Sequence, residues 1–203
     1  YKDALSYWQR MVELEGDNVD IRVLTAIGNC YRKLKHFDKG IPIFEKALQK
    51  EPDNFYALFG IADCYRGVGK QNMSLLYWNK ILERDPKNKV ILTRAGDAYR
   101  NMGDFEKATE YYQNALNIEF DIYAVLGLAV IARQQGKYDE AIASLRSLLQ
   151  NDPKNYRIYV ELAQTYLLNN QRQMAIEILT EFQQMGIKNP VIQDALFKLT
   201  AKT

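Results

Sequence analysis

Apolar residues recur at helical spacing through most of the chain, and short polar segments interrupt them at regular intervals. In one representative stretch, Leu92, Ala95, Gly96 and Tyr99 lie on one face of a helix. Residues 102–104 (Met-Gly-Asp) then end this helix, because glycine readily takes the left-handed conformation found at helix ends. A second apolar stripe follows at positions 105, 108, 112, 115 and 116. The pattern predicts two helices joined by a tight turn.

This helix-turn-helix pattern repeats with a period close to 34 residues. Acid-Pro-X-Asn segments occupy residues 51–54, 85–88 and 152–155, and Pro52 and Pro86 are 34 residues apart. Tyr-Arg pairs recur in the same phase, at residues 31–32, 65–66 and 99–100. Proline disfavours helix at the residue before it, so each acid-Pro pair marks the end of a repeat. A period of this size predicts two-helix repeats that stack on one another.

The period divides residues 1–203 into a single array. The complete repeats are predicted at 21–54, 55–88, 89–121, 122–155 and 156–189. Residues 1–17 are predicted to be the second helix of a truncated repeat, with Ala4, Trp8, Met11 and Val12 on its apolar face, so we expect the chain to be cut from a longer array. Residues 190–201 are predicted to form a C-terminal capping helix, with Pro190 at its first position.

The residues of each repeat resemble the tetratricopeptide repeat family. The first complete repeat carries the family's pattern at Leu24, Ile27, Gly28, Tyr31, Phe37, Gly40, Phe44, Ala47 and Pro52. The resemblance covers nearly the whole chain, and it implies an all-α fold: a right-handed superhelical solenoid of antiparallel helix pairs. In such a fold small residues lie where the two helices of a repeat cross, and bulky residues fill the space between repeats.

Composition adds little that favours an enzyme. The net charge of +2 is too near balance to favour nucleic acid as a partner, and only one histidine, His36, is present. The sequence has no phosphate-binding glycine-rich loop and no zinc-ligand spacing. We therefore predict no catalytic residue, no metal site and no cofactor.

The apolar stretches are also short. The longest runs from Val125 to Ala132, well below the roughly 20 residues of a membrane span, so no span is predicted. Cys30 and Cys64 occupy the same position in adjacent repeats. Neighbouring helices lie about 8–10 Å apart, beyond the roughly 7 Å limit for the Cα atoms of a disulfide. We expect two buried, reduced thiols, which slightly favours the cytoplasm while leaving the compartment open.

The resemblance implies that the first helix of each repeat lines a concave groove that holds a peptide or a partner helix. Residue by residue, the candidate groove positions are Asn29, Arg32, Tyr56, Phe59, Asp63, Arg66, Arg94, Asp97, Arg100, Tyr123, Leu126, Val130 and Arg133. Four of these are arginines that recur once per repeat, at 32, 66, 100 and 133, and such a ladder suits an acidic peptide. The alternative is that these arginines pair with neighbours such as Asp63 and Asp97.

Apolar side chains also fall at groove positions, at Tyr56, Phe59, Tyr123, Leu126 and Val130. Near Gly127 and Ala132 they suggest a pocket for a hydrophobic anchor, because aromatic residues are enriched in interaction hot spots. Alternatively, these residues are covered by a neighbouring copy of the chain or by a flanking segment. The clamp that other members use for chaperone tails is matched only by Asn29 and Arg94, so a receptor for heat-shock chaperones is not predicted.

The sequence thus predicts a non-catalytic scaffold or adaptor for protein-protein interaction. A targeting or regulatory arm of a larger enzyme is one alternative, and an RNA-binding solenoid is a less favoured one because the charge is near balance. Self-association through exposed terminal repeats is a further possibility.

Overall fold

The computed structural model describes residues 1–201, apart from the side chains at positions 9, 12, 13, 15 and 17. The predicted packing of Val12 therefore lies outside the described residues. Within the described range the chain is helical, with no β-strand, which confirms the predicted all-α fold. No helix of this range combines the length and the apolar character that crossing a membrane requires.

The helices alternate with short connections. They are α1 (Lys2–Glu15), α2 (Ile21–Lys33), α3 (Phe37–Lys50), α4 (Phe55–Gly67), α5 (Gln71–Arg84), α6 (Lys89–Asn101), α7 (Phe105–Ile118), α8 (Ile122–Gln134), α9 (Tyr138–Asn151), α10 (Tyr156–Leu168), α11 (Arg172–Gln184) and α12 (Pro190–Thr200). A 3₁₀ turn, Gly16–Asn18, joins α1 to α2. Each segment predicted as a complete repeat contains one pair, whose first helices are α2, α4, α6, α8 and α10.

The acid-Pro-X-Asn segments end one helix and begin the next. In each, the asparagine Oδ1 accepts a hydrogen bond from a backbone N–H of the first turn, and its Nδ2 donates to the acidic side chain three residues earlier. The pairs are Asn54 with Ala57 and Glu51, Asn88 with Ile91 and Asp85, and Asn155 with Arg157 and Asp152. Each segment thus caps the start of the following helix with its own asparagine, whose amide also bonds to the acidic residue of the same segment.

The turn inside a helix pair requires a left-handed residue. Gly69, Gly103 and Gly136 supply it with φ values of +78°, +83° and +78°. In the pairs α2–α3 and α10–α11 the same place is held by Lys35 and Asn170, with φ of 61° and 58°. In this conformation the Cβ of lysine is sterically strained, whereas glycine has no Cβ.

Helix packing groups the chain into two compact units, unit 1 (Tyr1–Glu119) and unit 2 (Phe120–Thr203). The boundary falls where the sequence reads Ile118-Glu119-Phe120-Asp121 in place of acid-Pro-X-Asn. In unit 1, α2 to α7 pack consecutively, and the core holds Trp78, Tyr112 and Phe44 among its fully buried side chains. In unit 2, α8 to α12 pack around a core that includes Leu145, Tyr159 and Phe182.

Phe44 of α3 shows how closely the helices of unit 1 approach. Its ring is fully buried and lies against glycines on two first helices, Gly28 of α2 and Gly60 of α4. A Cβ atom added at Gly28 or Gly60 would lie 2.6 Å or 2.1 Å from the ring atom Cζ. Glycine at these positions thus makes the room that the phenylalanine fills.

Candidate functional site

Four of the predicted groove residues lie along one face of α4. Tyr56, Phe59, Asp63 and Arg66 follow one another at helical spacings of three, four and three residues, which places them on the same side. Predicted residues of the neighbouring first helices lie beside them: Arg32 of α2 and Arg94 of α6 both contact Asp63. We call this surface the first-helix face of unit 1, formed by α2, α4 and α6.

Asp63 is the centre of this face. It exposes only 5% of its surface, and its carboxylate accepts hydrogen bonds from three arginines. Arg32 Nη1 donates to Oδ2 over 2.7 Å, and Arg94 Nη1 donates to Oδ1 over 3.0 Å. Arg66 donates to Oδ1 from Nε and Nη2, over 3.0 and 2.7 Å. One carboxylate thus connects α2, α4 and α6; we call Arg32, Arg66 and Arg94 the arginine cluster.

The arginines decide the charge state of Asp63. Burial by itself raises the pKa of the Asp63 carboxyl, but Arg94, Arg66 and Arg32 together lower it further than burial raises it. The net pKa lies below the ordinary value, so the carboxylate is ionised at neutral pH. Burial also lowers the pKa of Arg94, which Asp63 partly counteracts.

A second ion pair, between Arg100 and Asp97, lies next to the arginine cluster. Arg100 Nη2 is 3.4 Å from Oδ1 of Asp97, and the buried Tyr112 hydroxyl donates to the same oxygen over 2.7 Å. Burial raises the pKa of Tyr112, with the nearby Asp97 carboxylate as the next cause. Arg100 Nε in turn donates to the Tyr112 hydroxyl over 3.2 Å. Because four arginines here face two aspartates, the face keeps an excess of two positive charges.

Aromatic side chains adjoin the arginine cluster. The guanidinium carbons of Arg32 and Arg94 lie 5.7 and 5.1 Å from the centre of the Phe59 ring, within cation–π range. Phe59 also meets Trp78 edge to face, with ring centres 5.3 Å apart. One turn earlier on α4, Tyr56 is 68% exposed and contacts the exposed Phe55. The face therefore joins a cationic region to an aromatic one.

The arginine ladder is engaged within the protein rather than lying free in solvent. Arg32, Arg66 and Arg100 pair with Asp63 or Asp97, as the alternative interpretation of the sequence expected. Asn29 accepts a hydrogen bond from Arg32 Nε over 3.2 Å and so helps to orient that guanidinium. What the sequence pattern did not indicate is that three arginines share one carboxylate.

In unit 2 the corresponding arginine has a different partner. Arg133 donates to the Glu161 carboxylate over 2.6 Å and to the Glu161 main-chain oxygen over 3.3 Å, which links α8 to α10. Glu161 was not among the predicted residues. A signal for it existed, because Glu161 occupies the same position in its repeat as Arg94, and both face a charged residue of the preceding repeat.

The apolar residues predicted for the groove differ in how far they are exposed. Tyr123 is half exposed, and Arg157 lies over its ring at 5.6 Å. Leu126 and Val130 expose only 7% each, and Leu126 belongs to the core of unit 2. The open apolar pocket expected around Leu126 and Val130 is thus corrected: these side chains pack inside the unit, and Ala132 is buried as well.

The two cysteines are free and buried, as predicted. Burial, with the Asp63 carboxylate as a second cause, raises the pKa of the Cys64 thiol to about 12. Among the residues that the structure describes, no group of three His, Cys, Asp or Glu side chains is placed to hold a metal ion.

Sequence models of the tetratricopeptide repeat match three segments, residues 21–54, 91–122 and 132–183, which together cover more than half of the chain. The first of these segments spans the same residues as the first predicted complete repeat. A search of curated protein sequences finds no significant match.

Solved structures share the fold. A tetratricopeptide repeat protein from Parabacteroides merdae is 19% identical, with a TM-score of 0.73 over 98% of this chain and 91% of that one. A thermophilic repeat protein from Thermus thermophilus is 20% identical, with a TM-score of 0.76 over 90% of this chain and 100% of its own. YrrB, described as a repeat protein with an unusual peptide-binding site, is 16% identical, with a TM-score of 0.61 over 98% and 95%. These likenesses confirm the fold class, an alpha-alpha superhelix of helix pairs.

Proposed function

This chain belongs to the tetratricopeptide repeat family, and from that premise we propose that it is a non-catalytic scaffold or adaptor for protein-protein interaction. It binds a peptide or a partner helix on the first-helix face of unit 1. The observation that carries the proposal is the exposed Tyr56 on the same face of α4 as Phe59 and the arginine cluster. Aromatic and arginine side chains dominate the energetics of protein interfaces, which supports this surface as the site.

The chemistry of the face favours binding over catalysis. A general acid or base works best when its pKa lies near the working pH. Asp63 is the most buried acid of this face, and the arginine cluster holds its pKa below the ordinary value. Its carboxylate therefore stays ionised near neutral pH and serves to fix the arginines. YrrB, which shares the fold, is described as having a peptide-binding site, and this agrees with the proposed role.

The proposal is tested by affinity capture of partner proteins, followed by binding measurements with the purified partner. The variant Tyr56→Ser removes an exposed ring from the first-helix face, and Leu76→Ser is the matched control, because Leu76 is exposed on the second helix α5. We expect Tyr56→Ser to weaken binding of the purified partner about tenfold or more, and Leu76→Ser to leave it unchanged. Equal binding by the original chain and both variants would place the partner elsewhere.

A further inference from the structure

We infer that the partner segment carries a carboxylate three or four residues away from an apolar side chain. The carboxylate lies at the arginine cluster, and the apolar side chain lies on Tyr56 and Phe59. This inference rests on the proposed function and adds to it the chemistry and spacing of the bound segment.

The arginine cluster has hydrogen-bonding capacity left after pairing with Asp63. Among the described residues, Arg32 pairs through Nε and Nη1, and Arg66 pairs through Nε and Nη2. Arg94 pairs through Nη1 alone, and its buried Nε has no hydrogen-bond partner. The buried Arg94 Nε cannot reach a ligand, but each guanidinium keeps one terminal nitrogen outside these bonds: Nη2 of Arg32, Nη1 of Arg66 and Nη2 of Arg94. Arg66 and Arg94 expose 40% and 30% of their side chains.

The charge of the face selects an anionic ligand. Asp63 and Asp97 offset two of the four arginines, which leaves an excess of two positive charges on a partly buried surface. A carboxylate suits this excess, because guanidinium groups bind carboxylates with paired, charge-assisted hydrogen bonds. Asp63 itself provides the example, since the three arginines already converge on its two oxygens.

The geometry of α4 sets the spacing. Tyr56 lies seven residues before Asp63 and ten before Arg66, which at about 1.5 Å per residue corresponds to roughly 10–15 Å along the helix. An extended peptide advances about 3.3 Å per residue, so three or four residues span this distance. Phe59, between Tyr56 and Asp63, gives the apolar side chain a second ring to pack on.

The inference is tested with a series of fluorescein-labelled synthetic peptides of Gly and Ser that carry one Phe and one Glu. The separation of Phe and Glu is one, three, four or seven residues, in both orders, and binding to the full chain is measured by fluorescence anisotropy. We expect peptides with a separation of three or four to bind about tenfold tighter than the same peptides with Gln in place of Glu. Binding that ignores the separation, or that survives the Gln replacement, overturns the inference. The series also includes peptides with phosphoserine in place of Glu, and binding of these without binding of the Glu peptides overturns the carboxylate assignment.

Variants of the chain identify the residues responsible. Arg66→Gln leaves Asp63 paired with Arg32 and Arg94, so we expect the fold to persist, as circular dichroism can verify. Arg84→Gln makes the same charge change on α5, where Arg84 pairs with the exposed Asp53, and serves as the control. We expect Arg66→Gln to weaken the Glu peptides about tenfold and to leave the Gln peptides unchanged, with no effect of Arg84→Gln. Equal effects of the two variants contradict the inference.

The two proposals can fail separately. If Tyr56→Ser abolishes binding of a captured partner while the peptides show no preference for Glu, the proposed function stands and the spacing inference fails. If neither Tyr56→Ser nor Arg66→Gln affects a captured partner, both fail.

Discussion

The Arg94 guanidinium donates to Oδ1 of Asp63 over 3.0 Å, and this bond joins α6 to α4. The other oxygen of the same carboxylate accepts a bond from Arg32, which joins α2 to α4. A single buried acid therefore connects three successive first helices. Loss of the Asp63 carboxylate is therefore expected to lower the stability of unit 1 and to disturb the surface proposed for binding.

Asp63→Asn is expected to destabilise unit 1. The amide keeps the size of the side chain but removes the charge that holds three arginines together, and breaking a buried ion pair is costly. Because Arg66 is partly exposed, we expect a loss of about 2–3 kcal/mol in the free energy of unfolding, measured by urea denaturation. Asp53→Asn, which removes the partner of Arg84 at the surface, is the control, with an expected loss below about 1 kcal/mol. Equal losses in the two variants would contradict the role of Asp63.

The contribution of Asp63 depends on pH in a definite direction. Its folded pKa lies below the ordinary value of 3.8, so its stabilising effect is complete above that value and is lost as the pH falls through the folded pKa. The difference in unfolding free energy between the original chain and Asp63→Asn should be constant from pH 7 to 5 and should shrink below about pH 4. Urea denaturation at pH 7, 5 and 3 measures it. A difference that grows on acidification would contradict the lowered pKa.

Gly60→Ala is expected to disturb the packing around Phe44. The new methyl carbon would lie 2.1 Å from Cζ of the ring, which is fully buried and also lies against Gly28. Overpacking of this kind costs about 1–3 kcal/mol, measured again as a change in the free energy of unfolding. Combining Gly60→Ala with Phe44→Leu should relieve the clash, so the double variant should lose less than the two single variants together. Strictly additive losses would show that the ring is not the obstacle.

Lys35→Gly is expected to stabilise the chain. Lys35 is exposed and adopts φ of 61°, a conformation that costs a lysine more than a glycine. The added flexibility of glycine in the unfolded chain offsets part of the gain, which leaves about 0.5–1 kcal/mol. Thermal unfolding provides the measurement. Lys46→Gly, at an exposed site in the middle of α3, is the control and should destabilise by about 1 kcal/mol; stabilisation by both changes would refute the conformational argument.

Neither cysteine is expected to react while the chain is folded. The pKa of Cys64 is about 12, so at pH 8 its thiolate fraction is on the order of one in ten thousand, and Cys30 is buried as well. Ellman's reagent should therefore detect two thiols in denaturant and none within minutes in buffer. Rapid labelling of a native thiol would contradict the packing of α2 and α4.

Much of this fold follows from local sequence signals. The prolines at 52, 86 and 153 and the glycines at 69, 103 and 136 act through nearest neighbours along the chain, so they place helix ends without reference to the rest of the structure. The repeat pattern also predicted buried, reduced thiols at Cys30 and Cys64, because it places them on neighbouring first helices, too far apart for a disulfide. The repeat period and the backbone preferences of proline and glycine are therefore enough to predict where the helices end.

The parts that escaped prediction depend on side chains from different repeats. Three arginines share Asp63 because Arg32 and Arg94 reach it from the preceding and following first helices, a geometry that repeat position alone does not specify. Leu126 falls at a groove position yet packs into the core of unit 2. The division at Glu119 and Phe120 likewise depends on packing, although the missing proline marks the place.

The acid-Pro-X-Asn segments have a consequence for how such a chain can change in length. Asn54 and Asn88 make the same capping bonds with their own neighbours, so excising residues 55–88 would bring Asn54 to the start of α6, in the capping position that Asn88 holds now. Helix capping is therefore compatible with the gain or loss of a whole module, but the packing is not, because excision would put Arg94, at the repeat position of Gly60, against Phe44. The cluster around Asp63 would not survive such a change, because it forms only where residues 55–88 lie between their two present neighbours.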